Sequence, residues 1–287
     1  MSYSTVRTID DVLSAVETTL SRDASLKDSR KFIQNIAKRD PGLMIDAIDE
    51  IESIKSILYP IAQNPEVLVD IMSRTGAVLA GPQATSFFYP LCDWGDAPWD
   101  IFCHSSTADD FIVGYRQSST AEQVEDVNTD DGRRVVHMRK SIAGFATPAN
   151  IRILVSDTHP LASVLQMKNS YEQSVVTAAG AICFWPKLTS RGMFRVFEDN
   201  IGTSCYPRGK TFYTVTLKEL KKIKLRKPMG KPEVYIGTDS RIESVIFKNV
   251  SNVDHDEHMS AVDMLENIVW AACTNSTRYL GTIGSMQ

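Results

Sequence analysis

Residues able to do chemistry gather in three stretches of this 287-residue chain. Asp254-His255-Asp256-Glu257-His258 is the densest group of metal-capable side chains. His255 and His258, three apart, share one face of a helix and would hold zinc if a third ligand joined them. The flanking acids equally suit a helix N-terminus, where they complement the dipole, and no second Cys/His cluster backs the metal. Lys218 to Lys231 carries seven basic residues and one acid, a local balance of +6 in an otherwise acidic chain. Its Lys218, Lys221, Lys222, Lys224, Arg226 and Lys227 would suit phosphate, nucleic acid or nuclear import. Leu220, Ile223 and Leu225 make it equally readable as an exposed strand or helix face whose lysines keep an edge from pairing, and no aromatics alternate with the bases to stack nucleobases. The third stretch places Gly81-Pro82 ahead of Asp96 and Asp100. No nucleophile stands out: Ser and Cys occur without a His and an acid at motif spacing, and there is no Gly-x-Ser-x-Gly, P-loop or Gly-x-Gly-x-x-Gly.

The third stretch is the most specific. Leu79-Ala-Gly-Pro-Gln-Ala-Thr-Ser-Phe-Phe-Tyr-Pro90, followed by Asp96-Ala-Pro-Trp-Asp-Ile-Phe102, resembles a nucleotidyltransferase signature. More narrowly it is similar to a family of uncharacterised fungal proteins with a nucleotidyltransferase-like core. Gly81, Ala84, Phe87, Phe88, Pro90, Asp96, Trp99 and Asp100 stand where that pattern wants them, and Trp185-Pro186-Lys187-Leu188-Thr189 echoes the family's aromatic-Pro-x-x-Thr turn. The resemblance covers roughly residues 77–195. It implies a strand, a short helix after the glycine, and a second strand presenting acids at i and i+2 that hold two cations against a triphosphate.

The departures from the pattern bear on activity. Pro82, with no amide proton, replaces the Ser or Gly after the glycine, and Pro98 replaces the first acid of the strand pair. Where a later strand would bring a third acid, Ile151-Arg152-Ile153-Leu154-Val155 offers Arg152, and Asp157 falls at its end. A two-metal site needs several converging oxygens, so the resemblance implies a scaffold that has lost its catalysis. The expected function is a non-catalytic nucleotidyltransferase-like module for binding or self-assembly, with no cofactor, and a structural protein of a fungus or of a fungal genetic parasite fits it. The competing expectation is a Mg²⁺-dependent nucleotidyl- or phosphotransferase in which Asp96 and Asp100, with Asp93 or Asp157, rebuild the metal site.

The elements that must position these residues follow from periodicity. Residues 1–76 read as a helical N-terminal portion. Ile9, Val12, Leu13, Val16 and Leu20 form one helical face behind a Thr8/Asp11 capping box, and Ser25/Asp28 repeats that signal ahead of Phe32, Ile33, Ile36 and Ala37. Met44 to Leu58 holds the period as a third helix up to Pro60, and a fourth opens at Asn64-Pro65 and closes at Gly76. From 77 to 287 short apolar runs bounded by Gly, Pro and Asp predict the α/β (α+β) core. Its mixed sheet begins with 77–81 and 99–103, followed by a hairpin turn at Asp131-Gly132 before Val135–Met138 and a strand at Ile151–Val155. Pro160 to Trp185 reads as helix, 210–217 and 233–248 as strands, and Ser260 to Ala272 as a last helix. The four tryptophans default to core packing.

Composition bounds the rest. Thirty-one Lys+Arg against 35 Asp+Glu give a net charge of −4 and a pI of about 5.8, which argues against a generic nucleic-acid binder. Hydrophobic residues at 43% and charged residues at 23% are those of a folded chain. Five cysteines form no CxxC pair, the first twenty residues hold no apolar secretory core, and the longest apolar stretch, Val175 to Trp185, is too short to span a bilayer. The expectation is a cytoplasmic or nuclear protein with a protein partner or a second copy of itself and no membrane, nucleic acid through 218–231 being the secondary option.

Overall fold

The computed structural model describes residues 6–20, 24–90, 97–129, 132–141, 147–167, 169–186, 189, 193–194, 213–214 and 243–246. Five helices lead in: α1 (Ile9–Thr19), α2 (Leu26–Ile36), α3 (Pro41–Ile51), α4 (Ile54–Leu58) and α5 (Pro65–Thr75). Both capping boxes form, with Thr8 Oγ1 accepting from Asp11 N and Ser25 Oγ from Asp28 N. Asn64 caps α5 through Val67 N, and Gly76 ends it at φ +66°. The expected third helix is in fact two. Ser53 stops the run and caps α4 by accepting from Lys55 N, while Arg30 of α2 pairs with Glu52 at the break.

The chain then alternates. β1 (Val78–Ala80), α6 (Gly81–Phe88), β2 (Trp99–His104), α7 (Ala108–Ser119), β3 (Glu122–Asn128), β4 (Arg134–Lys140), β5 (Ala149–Ser156), α8 (Pro160–Leu165), a 3₁₀ turn (Ser170–Gln173), β6 (Ser174–Val176) and β7 (Gly180–Cys183) follow in order. β8 (Met193–Phe194) and β9 (Tyr213–Thr214) make a separate parallel pair, and β10 (Glu243–Ile246) returns to the main sheet. That sheet is mixed, in the order β10-β7-β6-β1-β2-β5-β4-β3, so the chain is of the α/β (α+β) class. β1 and β2 pair antiparallel, β2 and β5 parallel. Gly132 takes φ +80° at the β3–β4 hairpin.

Pro160 to Trp185 is not one helix. Only Pro160–Leu165 is α-helical, and the run bends through the 3₁₀ turn into two short strands. Val175, Val176 and Ile182 have helical spacing, yet Val175 and Val176 are consecutive and both fully buried, as in a strand covered on two faces. The described parts of 210–217 and 233–248 are strands β9 and β10. The predicted helix at 260–272 lies outside the described residues.

Period-two alternation sets the two faces of the sheet. Ile151, Ile153 and Val155 of β5, with Trp99, Ile101 and Cys103 of β2, face the main core beside Phe111 and Tyr115 of α7 and Leu68 and Met72 of α5. Side chains buried this fully contribute about 1.5–3 kcal/mol each. This core also takes in Leu26, Ile54 and Leu58, so residues on both sides of Gly76 share it, while Val12, Val16, Ile33 and Ala47 form a smaller cluster among α1–α3. The opposite face carries Asp100, Phe102 and His104 of β2 and Arg152, Leu154 and Ser156 of β5. Among the described residues no helix is long and apolar enough to cross a membrane.

Candidate functional site

The register places the candidate residues before any side chain is considered. Ala80, Asp100, Arg152, His137 and Glu125 lie in one row across β1, β2, β5, β4 and β3. Asp100, on a central strand, is 1% exposed. Its two oxygens accept from Arg152, Nε to Oδ1 at 2.6 Å and Nη2 to Oδ2 at 2.7 Å, the bidentate fork that a guanidinium makes with a carboxylate. Burial pushes the Asp100 carboxyl above the ordinary Asp range, while the Arg152 guanidinium and, more weakly, His137 pull it back.

Gly81 sits against the same carboxylate. It takes φ +76°, and a Cβ placed there would stand 3.2 Å from Asp100 Oδ2, so both the conformation and the space ask for glycine. It opens α6 with no side-chain cap, and Pro82 in the first turn withholds one amide. Thr85 locks that helix by donating to Tyr171 O at 2.5 Å, and Tyr89 Oη, just past its end, donates to Pro186 O at 2.9 Å. Thr189 Oγ1 closes the adjoining turn onto Trp185 O at 2.9 Å. The two stretches that carry the resemblance therefore touch each other.

Of the remaining candidates, Pro98 stands just ahead of β2, two residues before Asp100, and brings no oxygen ligand. Asp157 follows β5 at its far end, about 16 Å along the strand from Arg152 at roughly 3.3 Å per residue. It is not brought to Asp100. Asp93, Asp96, the basic run Lys218, Lys221, Lys222, Lys224, Arg226 and Lys227, and His255 and His258 lie outside the described residues. Among the described residues no group of three or more His, Cys, Asp or Glu side chains converges as metal ligands do. A groove of about 290 Å³ between α5 and α7 shares no residue with this site.

Sequence reasoning offers two sets of donors to Asp100, the backbone amides following Gly81 or the side chain of Arg152, and the structure shows Arg152; it does not place His137 nearby, because strand register has no local signature. It also missed α7 and the group just ahead of it at the far end of β2, where His104 bonds Ser106 and the backbone oxygen of Asp157, and Ser105 bonds the Asp157 side chain. The signal available was the run of Ser, Thr and His that follows each of two parallel strands, the edge at which open α/β sheets bind ligands. No family model matches this chain, nor does any curated protein or solved structure.

Proposed function

We propose that this chain is a nucleotidyltransferase-like scaffold without nucleotidyl-transfer chemistry at Asp100, acting as a binding or self-assembly module toward a protein partner or a second copy of itself. One observation carries the reading: both oxygens of the strand acid Asp100 are engaged by Arg152, at the position where a third metal-holding acid would stand. A carboxylate closed in this way has to break two charge-assisted hydrogen bonds before it can ligate a cation. Pro98 and Pro82 support the same conclusion, one by supplying no second acid and the other by withholding an amide from a phosphate. Calorimetry with a nucleoside triphosphate and Mg²⁺ tests it. The expected result is no binding heat. Micromolar affinity that disappears in Asp100→Asn would overturn the reading and favour a working metal site.

A further inference from the structure

The carboxyl ends of the parallel strands β2 and β5 hold a second constellation, on the same sheet face as Asp100 and about 13 Å from it at roughly 3.3 Å per residue. His104 is the last residue of β2. Its Nε2 lies 3.2 Å from the backbone oxygen of Asp157, an atom that only accepts, so Nε2 carries the proton. Its Nδ1 lies 3.2 Å from the backbone N–H of Ser106, a group that only donates, so Nδ1 carries the lone pair. Two independent contacts thus fix one neutral tautomer. The Ser106 hydroxyl meets that same Nδ1 at 2.7 Å and donates to it, sharing the one lone pair with the backbone N–H of the same residue.

This is the geometry of an activated nucleophile: a hydroxyl within hydrogen-bond reach of a base whose tautomer a third group sets. The third group here is a main-chain carbonyl rather than a carboxylate. Asp157 is held by another contact, its Oδ1 accepting from Ser105 Oγ at 2.5 Å. Ser106 is exposed and immediately precedes the N-cap Thr107 of α7. Thr107 makes no side-chain cap, and its hydroxyl donates to Thr75 O at 2.8 Å. The first-turn amides of α7 lie on the side from which Ser106 enters the helix, beside Asp109 and Asp110 of the same turn.

We propose that Ser106 is a nucleophile activated by His104, taking small ester electrophiles at the carboxyl edge of β2 and β5. In the acylation step Ser106 Oγ bonds to the ester carbon as its proton passes to His104 Nδ1. The ester C–O bond breaks, and the leaving alcohol takes that proton from Nδ1. Ser105 provides the control within the same molecule, being exposed and adjacent but bonded to Asp157 rather than to an imidazole.

The test is labelling of the full chain by an organophosphorus fluoride, with the adduct located by mass spectrometry. Ser106 Oγ–P forms, P–F breaks, fluoride leaves, and the proton goes to His104. The adduct is expected on Ser106 and not on Ser105, and to be absent in Ser106→Ala. In His104→Gln it should form about 10²-fold or more slowly, with the rate partly restored by added imidazole in His104→Gly. An unlabelled Ser106 in the wild-type chain, adducts divided evenly between the two serines, or a wild-type rate in folded His104→Gln overturns the proposal.

Discussion

Removing the Asp100 carboxylate separates the two readings of the sheet site, because a structural ion pair and a metal site respond with opposite signs. Asp100 is 1% exposed while the Arg152 side chain keeps 28% of its surface. Breaking a fully buried pair costs about 3–5 kcal/mol. In Asp100→Ala the guanidinium left behind can turn toward water, so the loss falls lower, at about 2–3 kcal/mol. At roughly 2–4 °C per kcal/mol for a chain of this size, the thermal midpoint drops by about 4–12 °C. Arg152→Met is the harsher change. It leaves the carboxylate where water does not reach, at about 3–5 kcal/mol, and removes the main influence holding its pKa down. The folded-state pKa of Asp100 then rises further above the unfolded value, so the deficit of Arg152→Met grows as pH climbs from about 4 toward neutrality and shrinks on acidification. The double variant should lose less than the sum of the singles, by about 0.5–3 kcal/mol. Thermal and urea unfolding followed by circular dichroism would read all four proteins. An unchanged or raised midpoint in Asp100→Ala refutes the ion-pair argument, and Mg²⁺ stabilising only the wild type would assign the carboxylate to a metal.

Gly81→Ala is expected to lower the midpoint by more than Gly76→Ala. Both pay about 1–2 kcal/mol for a positive φ, but only at Gly81 does the new Cβ meet the Asp100 carboxylate, at 3.2 Å, whereas at Gly76 it meets open space; equal losses in thermal scans would contradict the close approach. His159 caps α8 by accepting from Leu161 N at 3.3 Å, and burial, with His104 nearby, holds its pKa below the ordinary value. The unfolded chain therefore binds the proton more readily, so this contribution to stability is present above about pH 6.5 and fades as pH falls below it. His159→Asn keeps an acceptor without a proton to gain and should flatten the slope of urea midpoint between pH 7.5 and 5; parallel slopes would remove His159 from the account.

What the sequence made legible was local. Capping residues announced α1, α2 and α5 because a Ser, Thr or Asn hydrogen-bonds within its own first turn. Bounded apolar runs announced β1, β2 and β5 for a similar reason. The break between α3 and α4 stayed hidden because Ile51, Ile54 and Leu58 continue the helical stripe straight across Ser53. β6 and β7, three and four residues long, stayed hidden because runs that short fit either period. The Asp100–Arg152 pair was visible as a possibility of charge. Its geometry depended on a parallel register between segments 52 residues apart, which no local pattern encodes.

The same dependence on the neighbouring strand explains why one face of β2 carries two such different groups. Alternation puts Asp100 and His104 on that face, four residues apart. What each can do is decided by β5 alongside. At one end β5 supplies a guanidinium, whose two donors occupy both oxygens of Asp100. At the other the chain leaving β5 supplies a carbonyl, which takes the Nε2 proton of His104 and leaves Nδ1 as an acceptor. A donor closes an acid, and an acceptor readies a base. The chemistry of this sheet therefore depends on the pairing of β2 with β5 and not on the sequence of either strand alone.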